Sequence, residues 1–406
     1  MLLLLIWAFE VQLASAPGET SRAGTFSRVI APRLSHHAPV TDALPRLATS
    51  ADNAALLDLF GDVPMRGELV LATRREPDFF SLYRMQRAEP FVYVADGPRG
   101  LTGMCTALLR DGWLDGAPTK VGYLGDLRVR FDRSRAFARF FGEYFDDLCR
   151  RTGCTRYYTS ILASNQAALR ALTRKRSERS RQPHYELLRP FTTVSVQLTF
   201  RPKDTTGLRV DSARPDDVPA LVALLDADHR RRPFGYRFDD GELEHRLAHW
   251  PGFTLDSTLV VKDGAGRPLG VATVWNPQPV KRFEVRAYGG SMRWVKRGYD
   301  LAASVLRWPK LPDPGHEFRY AYLANVSVLN DDVRVFRALL EAAYRRLHGS
   351  GLHFFSFDLG RDDPWWPAVK GFVTQKLDFA LYAVTPQGQL RTEWPTGRTG
   401  FEVALA

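Results

Sequence analysis

Asp126 stands in an apolar run, residues 121–129, that also contains Gly122 and Gly125. A carboxylate there can exchange a proton, or it can simply pair with Arg128 or solvent at a strand edge. Glycine inside a strand marks a bulge or the close approach of another group to the backbone. A few residues on, Arg133, Ser134, Arg135, Ala136, Phe137 and Ala138 open an amphipathic segment. The unpaired amides at a helix start attract an anion. Small residues let that anion reach the backbone, and guanidinium groups add charge-assisted hydrogen bonds. Surface arginines on an ordinary helix N-terminus would look the same. Asn165 precedes a further short helical run, as a cap alone or as a cap that also touches a ligand.

These residues need a folded frame, and the composition provides for one. The chain has 406 residues, 45% apolar and 25% charged. That mix excludes collagen-like and wholly disordered classes, and the length predicts two or three domains. No apolar stretch is long enough to span a membrane. Three cysteines, Cys105, Cys149 and Cys154, form no CxxC pair and predict neither a disulfide framework nor a metal site. The net charge is +11, and 47 of the 56 basic residues are arginine. Such an excess favours a phosphorylated cofactor, nucleic acid or a membrane surface, or reflects a generally arginine-rich proteome. Residues 1–9 are apolar and Ala14-Ser15-Ala16 resembles a cleavage site, but no basic residue precedes Leu2. A cytoplasmic protein with a flexible leader over 1–43 is the expectation.

From Leu44 the pattern is regular. Helices are expected from Asp52 to a stop at Gly61 and over 78–87, then strands at 91–95, 101–109 and 121–129. The strongest amphipathic helix covers 135–151, with Phe137, Phe140, Phe141, Tyr144, Phe145 and Leu148 on one face. A strand at 157–162, a helix at 165–172 and a strand at 192–200 follow, with a polar linker at 201–207. The second half repeats this order: a helix at 214–228, a hairpin over 258–275, a strand at 318–328, a helix at 333–347, and strands at 354–359 and 379–384. Tyr123 matches Tyr322, Val129 matches Val328 and Leu148 matches Leu347, each 199 positions apart. The chain therefore reads as two copies of one α+β unit, 44–200 and 208–385, with a tail over 386–406 that holds a possible last strand.

The order of elements, with Gly122-Tyr123-Leu124-Gly125-Asp126-Leu127-Arg128-Val129, Arg133-Ser134-Arg135-Ala136-Phe137-Ala138 and Ile161–Leu169, resembles the GNAT-type N-acetyltransferase superfamily. The resemblance implies two tandem GNAT-like domains, each a mixed, mostly antiparallel sheet flanked by helices. It implies acetyl-CoA as co-substrate, no metal, and an amine acceptor that is a small molecule or a protein. The strand 121–129 would lie beside the thioester, with backbone amides near Leu127 and Val129 on its carbonyl oxygen. Arg133, Ser134, Arg135, Ala136, Phe137 and Ala138 would hold the diphosphate, and Asn165 would lie beside the cofactor. Ala136 departs from the family's glycine at the tightest point of that loop. Asp126 is the base candidate, and Tyr158, with Tyr157 and Tyr185 as alternatives, the acid; core tyrosines explain the same residues. The segment 65–80, with Arg66, Glu68, Arg74, Arg75 and Glu76, would border the acceptor cleft.

In the second copy the loop positions are Asp332, Val335 and Arg337, so that copy is expected to keep the fold and lose the cofactor loop. The leading expectation is an N-acyltransferase working in the first copy; the alternative is a non-catalytic tandem binding or regulatory module. Nucleic-acid binding through Arg170, Arg174, Lys175, Arg176, Arg179 and Arg181 lacks interleaved aromatics and is not expected. Asp362-Asp363-Pro364-Trp365-Trp366 is either a cation site or a helix cap over core tryptophans.

Overall fold

The computed structural model describes residues 44–62, 68–97, 100–130, 134–174, 182–201, 204–389, 394 and 397–405, with 134–138 as backbone. In the first half the elements are β1 (Arg46–Leu47), α1 (Asn53–Asp62), β2 (Leu69–Arg74), α2 (Ser81–Arg84), β3 (Glu89–Gly97), β4 (Gly100–Leu114), β5 (Ala117–Val129), α3 (Ser134–Thr152), β6 (Tyr157–Leu162), α4 (Gln166–Thr173) and β7 (His184–Gln197). The second half has β8 (Val210–Ser212), α5 (Val218–His229), β9 (Gly235–Tyr236), α6 (Glu242–His249), β10 (Thr258–Lys262), β11 (Pro268–Trp275), β12 (Arg282–Tyr288) and α7 (Met292–Leu306). It ends with β13 (Tyr320–Val328), α8 (Val333–Leu347), β14 (Phe354–Gly360), α9 (Trp366–Val369) and β15 (Thr374–Thr385).

Local chemistry explains many of the boundaries. β4 turns into β5 at Asp115 and Gly116, both left-handed, the backbone a two-residue turn needs to match strand twist. α3 buries Phe140, Phe141, Tyr144, Phe145 and Leu148 and stops at left-handed Gly153. The Asp332 carboxylate accepts from Arg334 N and Val335 N and so caps α8. Expected helices at 78–87 and up to Gly61 are adjusted: the former shortens to α2, and α1 continues one residue past the glycine.

All the strands but β2 and β12 form one sheet in the order β1-β3-β4-β5-β6-β15-β7-β14-β13-β11-β10-β8, with β9 paired to β4. This order is a palindrome of the two copies, with its centre between β15 and β7. The copies have exchanged their last strands: β15 pairs with β6, from Phe379↔Leu162 to Val384↔Tyr157, and β7 pairs with β14, from Phe354↔Gln197 to Gly360↔Phe191. The copies follow one another along the chain, while hydrogen bonding joins their strands into one sheet. No further strand follows β15 among the described residues; the tail contributes a 3-10 turn at Val403–Leu405 instead. Its single turn packs against β13 and β14 rather than extending the sheet.

Alternation along the central strands puts two different layers on the two faces. Val194 and Val196 of β7, and Phe355, Phe357 and Leu359 of β14, pack under α8, as α3 does over Leu124 and Tyr157. Phe191, Thr193, Ser195 and Gln197 point the other way, into a cavity. Its roof comes from insertions into both copies. β2 pairs with β12, from Arg282↔Arg74 to Tyr288↔Leu69, and α7 lies beyond. The ion pair Arg74–Glu284 (2.6 Å) and the bond from Ser291 Oγ to Glu68 (2.8 Å) tie the two insertions together.

Candidate active site

The two copies share a device at the same place. β5 runs parallel to β6 only at Gly122↔Tyr157 and Tyr123↔Tyr158, and no ladder joins the two strands beyond that. Gly122 permits the junction, since a Cβ there would sit 2.3 Å from the Tyr157 ring. Past it, Asp126 takes φ 50° and the pairing with β4 slips between Thr106↔Gly125 and Met104↔Arg128. The result is a bulge containing Asp126 and Leu127. In the second copy β13 and β14 pair at Tyr320↔Phe354, Ala321↔Phe355 and Tyr322↔Ser356. Asn325, 199 positions from Asp126, has φ 52° and the pairing with β11 slips beside it. Aspartate and asparagine are among the residues that tolerate this left-handed region best.

The surroundings of the two bulges differ. In the second copy the tail enters the site: Glu402 accepts from Asn325 N (3.3 Å) and from the fully buried Arg246 (2.7 Å). Arg246 also binds Glu242 (2.7 Å) and the Asn325 side chain (2.5 Å). Together with the Asp332 cap, this leaves the bulge amide and the Arg334 and Val335 amides of α8 satisfied by the protein itself. In the first copy Asp126 lies instead at the wall of the large cavity, about 430 Å³, within the usual size of a small-molecule site.

One end of that cavity is polar. Arg75 is buried, with its guanidinium 4.7 Å from the Phe60 ring centre and 4.9 Å from that of Tyr83. It donates to Asp126 (2.8 Å) and to the Tyr83 hydroxyl (2.6 Å), and Tyr83 donates to Asp126 (2.5 Å). Burial pushes the Asp126 carboxyl up, but Arg75, Arg128 and these hydrogen bonds outweigh it and hold the group below its ordinary range. Burial drives Tyr83 upward, so its phenol keeps its proton. Lys281, at the threshold of β12, lines the same cavity and is buried. Its ammonium donates to Ala404 O (3.3 Å) and lies 5.4 Å from the Tyr322 ring centre. Burial, aided by Arg75, lowers it to about 7.

Several expected site residues are found elsewhere or in other roles. Asp126 is a paired carboxylate, accepting from Arg75 and Tyr83. Tyr158 is not on the cavity wall: its ring stacks on Phe234 at 4.6 Å and its hydroxyl faces Arg110 (3.4 Å). Tyr123 and Ser160 form the wall there, bonded to each other at 3.2 Å. Leu127 lies in the bulge, and Val129 pairs with Gly103. Asn165 caps α4, accepting from Ala168 N (3.1 Å). The backbone of Ser134, Arg135, Ala136, Phe137 and Ala138 forms the start of α3, whose leading amides have no acceptor within the helix. Arg133 lies outside the described residues, as do the leader and Lys175, Arg176, Arg179 and Arg181. Of the cleft segment, Arg75 reaches the cavity. Asp363 accepts from Trp365 N (3.1 Å) and pairs with Arg398, and Trp365 is buried on Phe336; α9 begins at Trp366 without a side-chain cap, so Asp363 ties the turn before the helix rather than capping it. No group of His, Cys, Asp and Glu among the described residues is arranged to hold a metal ion. No described helix is long and apolar enough to cross a membrane.

Known structures share this arrangement. The chain has a tandem GNAT fold. Saccharomyces cerevisiae N-myristoyltransferase with bound myristoyl-CoA superposes with a TM-score of 0.55 at 10% identity, covering 95% of this chain and 94% of that one. A GCN5-related N-acetyltransferase from Sphaerobacter thermophilus gives 0.50 at 11% identity over 90% and 98%. The glucosamine N-acetyltransferase region of a fungal multi-domain GH3 beta-N-acetylglucosaminidase gives 0.53 at 12% identity, covering 87% of this chain and 39% of that protein. No family model and no curated protein matches the sequence. These GNAT structural neighbours are acyltransferases, and the identities are low.

Arg75 belongs to the segment expected to border the acceptor cleft and Tyr123 to the 122–129 motif, whereas Lys281 had no local signature. Lys281 is a single lysine after Pro277 and Pro279, and only the fold of the 276–319 insertion brings it to the cavity that Asp126 also lines.

Proposed function

We propose that this protein is an N-acyltransferase that moves an acyl group from acyl-CoA to an amine acceptor, with the chemistry in the first copy and the acceptor in the central cavity. The observation that carries this reading is the contrast between the bulges: Glu402 and Asp332 occupy the donors of the second copy, whereas the β6-facing edge of β5 beyond Tyr123 has no ladder partner. Amides near Leu127 and Val129 would hold the acyl carbonyl oxygen, and the start of α3, with Arg133 and Arg135, the diphosphate. The leading amides of α3, which have no acceptor within the helix, suit such a group. Acyl-CoA supplies an activated thioester; acetyl is the group expected from the sequence resemblance.

The side chains of the cavity supply the rest. Asp126, kept anionic by Arg75, orients an incoming ammonium. Lys281, largely able to shed its own charge near neutrality, takes the proton that the amine must lose before its nitrogen bonds the acyl carbon. The carbon–sulfur bond then breaks and the thiolate leaves, with Tyr123 the proton-bearing hydroxyl on that wall. The apolar remainder of the cavity favours an acceptor with a hydrophobic body.

Thermal shift and calorimetric titration with acetyl-CoA, longer acyl-CoAs and CoA test the reading, followed by an acceptor screen. One binding site per chain, abolished by Arg133→Glu and retained in Asp332→Lys, is expected. The reverse pattern would move the chemistry to the second copy. Binding without turnover on any amine would favour the non-catalytic module.

A further inference from the structure

The outer face of α7 carries an apolar stripe that no described residue covers. Trp294 is 67% exposed, Leu301 69% and Val305 76%. With Gly298 they follow one another at spacings of four, three and four residues. At ~100° per residue this places all four within about 60° of one another. The opposite face of the same helix is in use, because Met292, Val295, Tyr299 and Ala302 line the cavity. α7 is therefore amphipathic toward the protein and carries a second, narrower apolar edge toward the outside.

Two exposed arginines, Arg293 and Arg297, border that edge on the helix, and further basic residues lie nearby in the sequence. Arg286, Arg293, Lys296, Arg297, Arg307 and Lys310 lie between 286 and 310, against the single acid Asp300. Asp300 is engaged internally, by Lys296 (2.6 Å) and by Leu311 N (3.0 Å). The nearby Glu68 is bound by Ser291, Glu284 by Arg74 and Arg286, and Asp313 by Lys296. Arg293, Arg297 and Arg307 are exposed, and the Arg297 guanidinium lies 4.9 Å from the Trp294 ring centre. A tryptophan and aliphatic side chains that enter the acyl boundary, flanked by arginines at headgroup level, match the physical demands of an anionic bilayer surface. A protein partner would meet the same stripe, but a cationic border that is nearly free of acids selects strongly for negative charge.

We infer that α7 docks this protein onto anionic membrane surfaces, with Trp294, Leu301 and Val305 inserted and Arg293 and Arg297 on the headgroups. The inference does not depend on the reaction assigned to the cavity. Full-length protein is sedimented with vesicles of phosphatidylcholine alone and of phosphatidylcholine with phosphatidylserine, at low and at physiological salt. The expected result is binding to the anionic vesicles that weakens at least tenfold in Trp294→Asp/Leu301→Asp, and weakens similarly in Arg293→Glu/Arg297→Glu. Both variants should keep the wild-type melting temperature, because the substituted side chains are exposed. Equal binding by wild type and the Trp294→Asp/Leu301→Asp variant, or no binding by wild type, would overturn the inference. So would a wild-type dimer in analytical ultracentrifugation that the same variant converts to monomer, since the stripe would then be a contact between copies.

Discussion

Asp126 and Asn325 adopt the same left-handed backbone, φ 50° and 52°, at equivalent bulges of the two copies, yet one side chain is held by Arg75 and the other by Arg246. The same strand geometry therefore leads to a cavity in one copy and to a plugged cleft in the other. What differs is the occupant: the tail carboxylate of Glu402 fills the second site.

Arg75→Met should destabilise the protein by about 3–5 kcal/mol, because it strands a buried carboxylate. The double variant Arg75→Met/Asp126→Asn should recover most of that loss, asparagine being compatible with the left-handed backbone. Denaturant unfolding of the four proteins in a double-mutant cycle measures this; a double variant as unstable as the single one would refute the pairing.

The same carboxylate gives a pH dependence. Asp126 is held below its unfolded value, so its contribution is complete above about pH 4 and is lost as pH falls through the lower folded value. Asp126→Asn should therefore flatten the stability curve in acid. Melts between pH 2.5 and 6 check it, and parallel curves for the two proteins would count against the ion pair.

Lys281 has the opposite sense. Its folded value, about 7, lies below the ordinary lysine range, so between pH 7 and about 10.4 the unfolded chain binds the extra proton and stability rises with pH. Lys281→Met should melt above wild type at pH 7, with a gain on the order of 4 kcal/mol that shrinks toward pH 10. A gap independent of pH would show that Lys281 is not held neutral. If it is the proton acceptor, turnover of the wild type should climb to a plateau as pH passes about 7, and the methionine variant should lose that limb.

Gly122→Val should cost about 1–3 kcal/mol by driving a side chain into the Tyr157 ring, and should weaken acyl-CoA binding more than tenfold by displacing β5 from β6. Titration calorimetry on the folded variant gives the second number. Unchanged affinity would mean that the divergence of these strands does not form the site.

Glu402→Gln should remove charge from a fully buried arginine and lower stability by about 1–3 kcal/mol, while acyl-CoA stoichiometry stays at one because Asp332 still satisfies the α8 amides. A second binding event on titration would contradict this account of the plugged copy.

The elements with strong periodicity were legible in advance. The aromatic face of α3, the strand at Tyr157–Leu162, the hairpin at 258–275 and the 199-residue register all follow from side chains repeating at helical or strand spacing. β2, β12 and α7 were not foreseen: they interrupt the repeated unit and have no counterpart in the other copy to reveal them. Asp126 was legible as a carboxylate in a glycine-containing strand, but its pairing depends on Arg75, fifty-one residues earlier. Tyr158 and Tyr123 are a similar case. They sit on neighbouring strands with similar local sequence, and only the packing of Phe234 against Tyr158 leaves Tyr123 on the cavity wall.

Taken alone, the sequence determined the duplication, the α+β order of each copy and the loss of small residues at the loop positions of the second copy. Those properties are local, set by propensity and by period, and they survive without knowledge of any partner. The tertiary structure decided the exchange of last strands, the roof built from two insertions, the entry of Glu402 into one copy and the meeting of Asp126, Arg75 and Lys281 in the other. Each of these depends on contacts between residues far apart in the chain, whose energies come from burial and charge pairing that no single segment encodes.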